Sequence, residues 1–151
     1  MRNIAIFASG SGTNAENIIK YFSNRNTARV KLVLSNRREA FVLKRATELG
    51  VKTMVFDRGD LYCSGRVLSM LESEKINFVV LAGFLWLIPG NILSSYAGRM
   101  VNIHPALLPA YGGRDMYGEK VHRAVIENGE KESGITIHSV SYTHLTLPTK
   151  R

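Results

Sequence analysis

The chain has 151 residues, 45% hydrophobic and 21% charged, which is one domain's length with enough apolar residues for a sizeable core, and excludes a disordered or fibrous polymer. Twenty basic against twelve acidic residues leave a net charge of +8. The basic residues are scattered, however, with Arg37-Arg38 and Lys150-Arg151 among the few compact pairs, so no nucleic-acid partner is expected and the excess reads as a solvated surface whose field favours small anions.

No apolar run is long enough to span a membrane, and Cys63 is the only cysteine, which rules out an internal disulfide and a thiolate metal site. The opening MRNIAIFASG carries one basic residue and a short apolar stretch, with no small-x-small cleavage pattern behind a longer core. It reads as a first β-strand, residues 3–8, of a cytoplasmic chain.

Gly10-Ser11-Gly12-Thr13-Asn14 follows that strand and opens a helix expected over 14–22. Glycines let the backbone approach an anion closely, and the N–H groups at a helix start point towards it. The spacing G-x-G-x-x-A stands one residue type from the dinucleotide fingerprint. Thr13 and Asn14 can add side-chain hydrogen bonds to a phosphate, and can equally cap the helix. At this point the turn fits a dinucleotide, a single phosphate or a bare bend. The second strand, 30–35, runs into Ser35-Asn36-Arg37-Arg38, where no acid stands to hold a ribose, although an arginine could accept a 2′-phosphate.

A helix over 40–50 ends in Glu48-Leu49-Gly50, the glycine suiting a left-handed helix C-terminus. A strand at 52–56, a helix at 64–75 and a strand at 78–82 come next. The strands are short, rich in Val and Ile and mostly without polar alternation, as strands buried on both faces are. The βαβα alternation predicts an α/β fold, a Rossmann-like, doubly wound and mainly parallel sheet with helices on both faces. Ligands of such sheets bind at the carboxyl ends of the strands, beside a topological switch point.

The fourth strand runs into Gly83 and the apolar Phe84-Leu85-Trp86-Leu87-Ile88. That loop either packs into the core ahead of a helix at 90–96 or offers its main chain to a flat heteroaromatic ligand. The fifth strand, 100–103, ends in Asn102-Ile103-His104-Pro105. Residues two apart on a strand share a face, and Pro105 confines His104 to extended backbone. An amide and an imidazole presented together suit acyl transfer, since both can donate to the oxygen of a tetrahedral intermediate and histidine exchanges protons near neutral pH. A buried amide satisfying backbone groups beside a capping histidine would fit the same spacing. A helix over 118–128 and a strand over 135–140 complete the pattern, and no two histidines have metal-ligand spacing.

In this order, Ser9–Asn14 (S-G-x-G-[ST]-N), Leu81–Phe84 (L-A-G-F), Asn102–Pro109 (N-I-H-P-[SA]-L-L-P), His122–Gly129 (H-R-A-V-I-E-N-G) and Gly134–His138 (G-I-T-I-H) resemble the glycinamide ribonucleotide formyltransferases, folate-dependent enzymes of purine synthesis. The N-I-H-P block is shared with other folate formyl carriers, such as methionyl-tRNA formyltransferase, and the opening turn narrows the choice. The resemblance implies that Gly12, Thr13 and Asn14 hold the phosphate of glycinamide ribonucleotide. It also implies that Leu85, Trp86, Leu87 and Ile88, with Asn102, line the pocket of 10-formyltetrahydrofolate, and that Asn102 and His104 are the catalytic pair. The substrates are small molecules, 10-formyltetrahydrofolate is a co-substrate, and no metal is required.

The resemblance covers 1–140 and leaves 141–151 as a divergent tail. In the family, a loop after the His138 strand carries an aspartate that pairs with the catalytic histidine, and a further strand and a long helix follow. Here no acid stands after Glu132, and Leu145 occupies the expected position. An imidazole without a carboxylate loses its orienting partner and the stabilisation of its protonated form, so impaired transfer is expected. The alternatives are a dinucleotide-binding module and an inactive fragment.

Overall fold

The computed structural model describes residues 1–104 and 136–140, apart from the side chains of His104 and 136–139. Its first strand shows why the apolar runs fold as they do. β1 (Arg2–Phe7) buries every residue after Arg2, as a strand with neighbours on both edges and helices on both faces must. β2 (Ala28–Ser35), β3 (Lys52–Val55), β4 (Phe78–Ala82), β5 (Met100–His104) and β6 (Thr136–Ser139) join it in one six-stranded sheet of order β3-β2-β1-β4-β5-β6. The first five strands pair in parallel, and β6 runs antiparallel to β5. The fold is the Rossmann-like, mainly parallel α/β sheet expected from the alternation.

Side-chain alternation along the strands divides the core in two. Ala5, Phe7, Leu32, Leu34 and Leu81 point to one face, where they meet Leu61, Val67, Leu71, Ile92 and Leu93. These come from α3 (Arg58–Tyr62), α4 (Arg66–Ser73) and α5 (Gly90–Ser95). Ile4, Ile6, Val33, Val80 and Ala82 point to the other face and meet Ala15, Ile19, Val42 and Ala46 of α1 (Thr13–Phe22) and α2 (Phe41–Glu48). Each fully buried Leu, Ile, Val or Phe contributes about 1.5–3 kcal/mol, so the paired cores fix which way each strand faces.

α2 stops where the sequence says it should. Gly50 lies at φ +79°, its N–H donates to the Thr47 carbonyl at 3.0 Å and the Val51 N–H donates to that of Ala46 at 2.9 Å. This is the paired closure that a left-handed residue after a helix allows. The helix expected over 64–75 is α4, and a short helix that the sequence pattern did not show, α3, precedes it from residue 58. Asp57 caps α3 by accepting from the Asp60 N–H at 2.8 Å, while the Asp57 N–H donates to the Asp60 carboxylate at 3.0 Å. The reciprocal Asp-x-x-Asp pattern was the available signal. The helix expected over 118–128 and the tail 141–151 lie outside the described residues.

Candidate functional site

The strand order reverses between β1 and β4, so the chain leaves β1 towards one side of the sheet and leaves β4 towards the other. The crevice between their carboxyl ends is the switch point of the fold, and the turn at 9–14 and the loop at 83–88 flank it. Phe7 is in register with Leu81, and Leu81 with Asn102. The carboxyl end of β5 therefore stands beside the same crevice.

Gly12 forms the hinge of the turn. It is the N-cap of α1 at φ 79°, ψ 23°, with no side-chain cap, so Thr13 and Asn14 are the first two helical residues and neither caps the helix from outside. A Cβ on Gly12 would lie 2.4 Å from Val42 Cγ2 and 2.7 Å from Val42 Cα, so only glycine lets α2 pack this closely. Thr13 is exposed and Asn14 half-buried, both at the end of α1 where the helix dipole is positive.

The turn is braced from both sides. Towards α2, the Val42 N–H donates to the Gly10 carbonyl at 3.1 Å, and Arg45 Nε donates to that of Ser11 at 2.7 Å. The same guanidinium pairs with Glu16 at 3.2 Å, which offsets the one carboxylate in the first turn of α1. Towards β4, the Ser9 N–H donates to the Gly83 carbonyl at 3.1 Å. Ser9 Oγ donates to Asn36 Oδ1 at 2.6 Å and accepts from the Leu85 N–H at 3.0 Å. Ser9 and Asn36 stand at strand ends where ligand chemistry is expected, but neither the bond between them nor a part for Arg45 was anticipated. A hydrogen bond across 34 residues leaves no local signal.

The loop after β4 packs into the core at alternate residues. Gly83, at φ +74°, turns the chain. Phe84 then packs edge-on to Phe7 at 5.3 Å, Trp86 packs against Phe56 at 6.1 Å, and Ile88 is buried in the core. Leu85 and Leu87 face outward, 45% and 55% exposed. The Arg58 guanidinium lies over the Trp86 ring at 4.3 Å, a cation–π contact. Tyr62 Oη donates to the Leu87 carbonyl at 2.6 Å, and burial raises its phenol above the ordinary 10.0 despite the nearby Arg58. The Gly83 carbonyl, the Leu85 N–H and the Leu87 carbonyl of the loop are thus already engaged within the chain.

Asn102 is half-buried and pairs in register with Leu81 on one side and His138 on the other. Val101 and Ile103 pack against the opposite core, so Asn102 belongs to the face that carries Phe84 and Trp86. His104 closes the strand two residues later, opposite Thr136. Among the described residues, no three His, Cys, Asp or Glu side chains group to hold a metal ion. No described helix is long and apolar enough to cross a membrane.

A family model described as formyl transferase matches residues 2–144. The chain belongs to the formyl transferase family. Within it, the chain is 36% identical over 146 residues to the chloroplastic phosphoribosylglycinamide formyltransferase of Arabidopsis thaliana, a match covering 93% of this chain and 50% of that protein. It is 36% identical over 145 residues to the phosphoribosylglycinamide formyltransferase of Escherichia coli, covering 92% and 66%. The crystal structure of glycinamide ribonucleotide transformylase 1 from Geobacillus kaustophilus superposes with a TM-score of 0.79 at 38% identity, covering 93% of this chain and 75% of that one. The Brucella melitensis phosphoribosylglycinamide formyltransferase gives 0.80 at 32%, covering 94% and 74%. The chain spans between half and two thirds of the length of these two curated formyl transferases.

Proposed function

We propose that the chain carries the site for transfer of a formyl group from 10-formyltetrahydrofolate to the primary amine of glycinamide ribonucleotide, acting in the cytoplasm on small molecules. One observation carries this reading: the turn at 9–14, the loop at 83–88 and the end of β5 converge on one crevice. Gly12, Thr13 and Asn14 hold the substrate's phosphate through the start of α1, where backbone donors and the helix dipole favour a single anion. Leu85–Ile88 hold the flat folate ring; with the Leu85 N–H and the Leu87 carbonyl engaged internally, recognition falls to the remaining main-chain groups and to the exposed leucines.

Asn102 and His104 act on the reacting carbon. The amine attacks the formyl carbon, and the Asn102 amide and a protonated His104 donate to the oxyanion that forms. The tetrahedral intermediate then collapses, and the folate nitrogen leaves protonated. Leu145 stands where the family places a carboxylate, so His104 has no acid there to orient it. A positioned acid–base partner contributes about 10²–10⁴-fold, and transfer by these residues alone is slower by that order. A dinucleotide is the weaker reading, because Asn36, after β2, is engaged with Ser9 and no acid stands beside it.

The test is a formyl-transfer assay with both substrates, on the chain and on its His104→Ala variant. Slow transfer that needs both substrates and vanishes in the variant supports the reading, as does binding of both without transfer. Turnover in the ordinary range of about 1–10³ s⁻¹ contradicts the impairment. Transfer unchanged in His104→Ala contradicts the catalytic assignment.

A further inference from the structure

We propose that Ser9 is a positioning residue for the folate-side loop, setting the height of residues 83–87 over the crevice without touching either substrate. The inference rests on the reading of 85–88 as a ligand-binding loop, and deepens it.

Three bonds place Ser9 at the junction of three strand ends. Its N–H donates to the Gly83 carbonyl at 3.1 Å, and its hydroxyl accepts from the Leu85 N–H at 3.0 Å. Ser9 thereby grips the chain on both sides of Phe84, at the point where Gly83 turns it. The hydroxyl proton is held by Asn36 Oδ1 at 2.6 Å, which leaves the oxygen lone pairs towards Leu85. Ser9 is 1% exposed and both hydroxyl bonds are part-buried, so loss of the hydroxyl leaves the Leu85 N–H and Asn36 Oδ1 without that partner. On the far side the anion turn keeps its own braces, Val42 to Gly10 and Arg45 to Ser11. The turn therefore keeps two braces that do not involve Ser9, and removing the Ser9 hydroxyl loosens the loop after Gly83 more than the turn.

Trp86 lies one residue beyond the Ser9 grip and is the only tryptophan of the chain, so its fluorescence reports on the loop alone. The experiment compares the full chain with its Ser9→Ala and Asn36→Ala variants in three measurements: acrylamide quenching of Trp86, affinity for tetrahydrofolate and affinity for glycinamide ribonucleotide. In Ser9→Ala, quenching should rise and tetrahydrofolate affinity fall by about tenfold, the effect of losing one hydrogen bond, while ribonucleotide affinity stays within about twofold. Asn36→Ala keeps the hydroxyl but frees its proton, and should shift the same two readouts less; it carries the test if Ser9→Ala does not fold. Unchanged quenching and tetrahydrofolate affinity overturn the proposal. An equal loss of both affinities also overturns it, since that marks Ser9 as a general structural residue. Raised quenching in a chain whose unmutated form binds neither ligand leaves the positioning role standing and refutes the proposed function instead.

Discussion

Replacing Gly12 by alanine imposes two separable costs, and two other glycines serve as controls, one carrying the first cost alone and one carrying neither. The first is conformational: at φ +79° a residue with a Cβ pays about 1–2 kcal/mol for the left-handed backbone. The second is steric: the new Cβ would lie 2.4 Å from Val42 Cγ2, 2.5 Å from Val42 Cβ and 2.7 Å from Val42 Cα. The last of these is backbone, so no rotamer change relieves it, and α2 must move away from the turn. Overpacking of this kind costs about 1–3 kcal/mol. Gly12→Ala is therefore expected to lose about 2–5 kcal/mol by the two terms together. Gly50 has the same φ of +79° but open space around its missing Cβ, so Gly50→Ala should lose only the conformational part, about 1–2 kcal/mol. Gly10 has open space and no positive φ, and Gly10→Ala should stay within about 0.5 kcal/mol of the parent. Urea denaturation followed by far-UV circular dichroism ranks the three, and an unchanged slope shows that only stability moved. A Gly12→Ala variant no less stable than Gly50→Ala would refute the close approach of Val42.

Two further perturbations probe the elements beneath the loop. The Asp60 carboxyl is held below its ordinary 3.8, first by the Asp57 N–H and then by Arg66. It contributes stability present above the unfolded value and lost as pH falls through the lower folded one. The stability gap between the parent and Asp60→Asn, measured by denaturation across acidic pH, should narrow below 3.8, and a gap constant through that range contradicts the shift. Tyr62→Phe keeps the ring beside Trp86 but removes the bond to the Leu87 carbonyl, at about 0.5–1.5 kcal/mol. It should also remove one of the tyrosines that ionise above 10.0 in an ultraviolet titration, and an unchanged high-pH titration contradicts that assignment.

The sheet was legible because its signal is periodic and local: short apolar runs without alternation, separated by helix-length segments, admit few other arrangements. The strand ends were legible for the same reason, and the turn at Gly10–Asn14 follows a strand and opens a helix as expected. What escaped the sequence was mostly non-local. The bonds from Ser9 to Asn36 and Leu85, and from Arg45 to Ser11, join residues 27, 76 and 34 positions apart, and nothing in the local pattern of either partner announces them. α3 escaped for a different reason. Its five residues, Arg58–Tyr62, are too few to show a helical period, and only the Asp57–Asp60 reciprocity marks the start. The loop at 84–88 was ambiguous because core packing holds only at alternate residues, Phe84, Trp86 and Ile88 turning inward while Leu85 and Leu87 turn outward.

The central claim is that the turn at 9–14 holds a single phosphate monoester. It is tested most directly by calorimetric titration of the chain with glycinamide ribonucleotide and, separately, with the same compound lacking its phosphate, each repeated on Asn14→Ala. Saturable binding of the phosphorylated compound alone, weakened in the variant and raising the melting temperature as a ligand of the folded state must, is the predicted result. Equal affinity for the two compounds, or no binding of either, would contradict it.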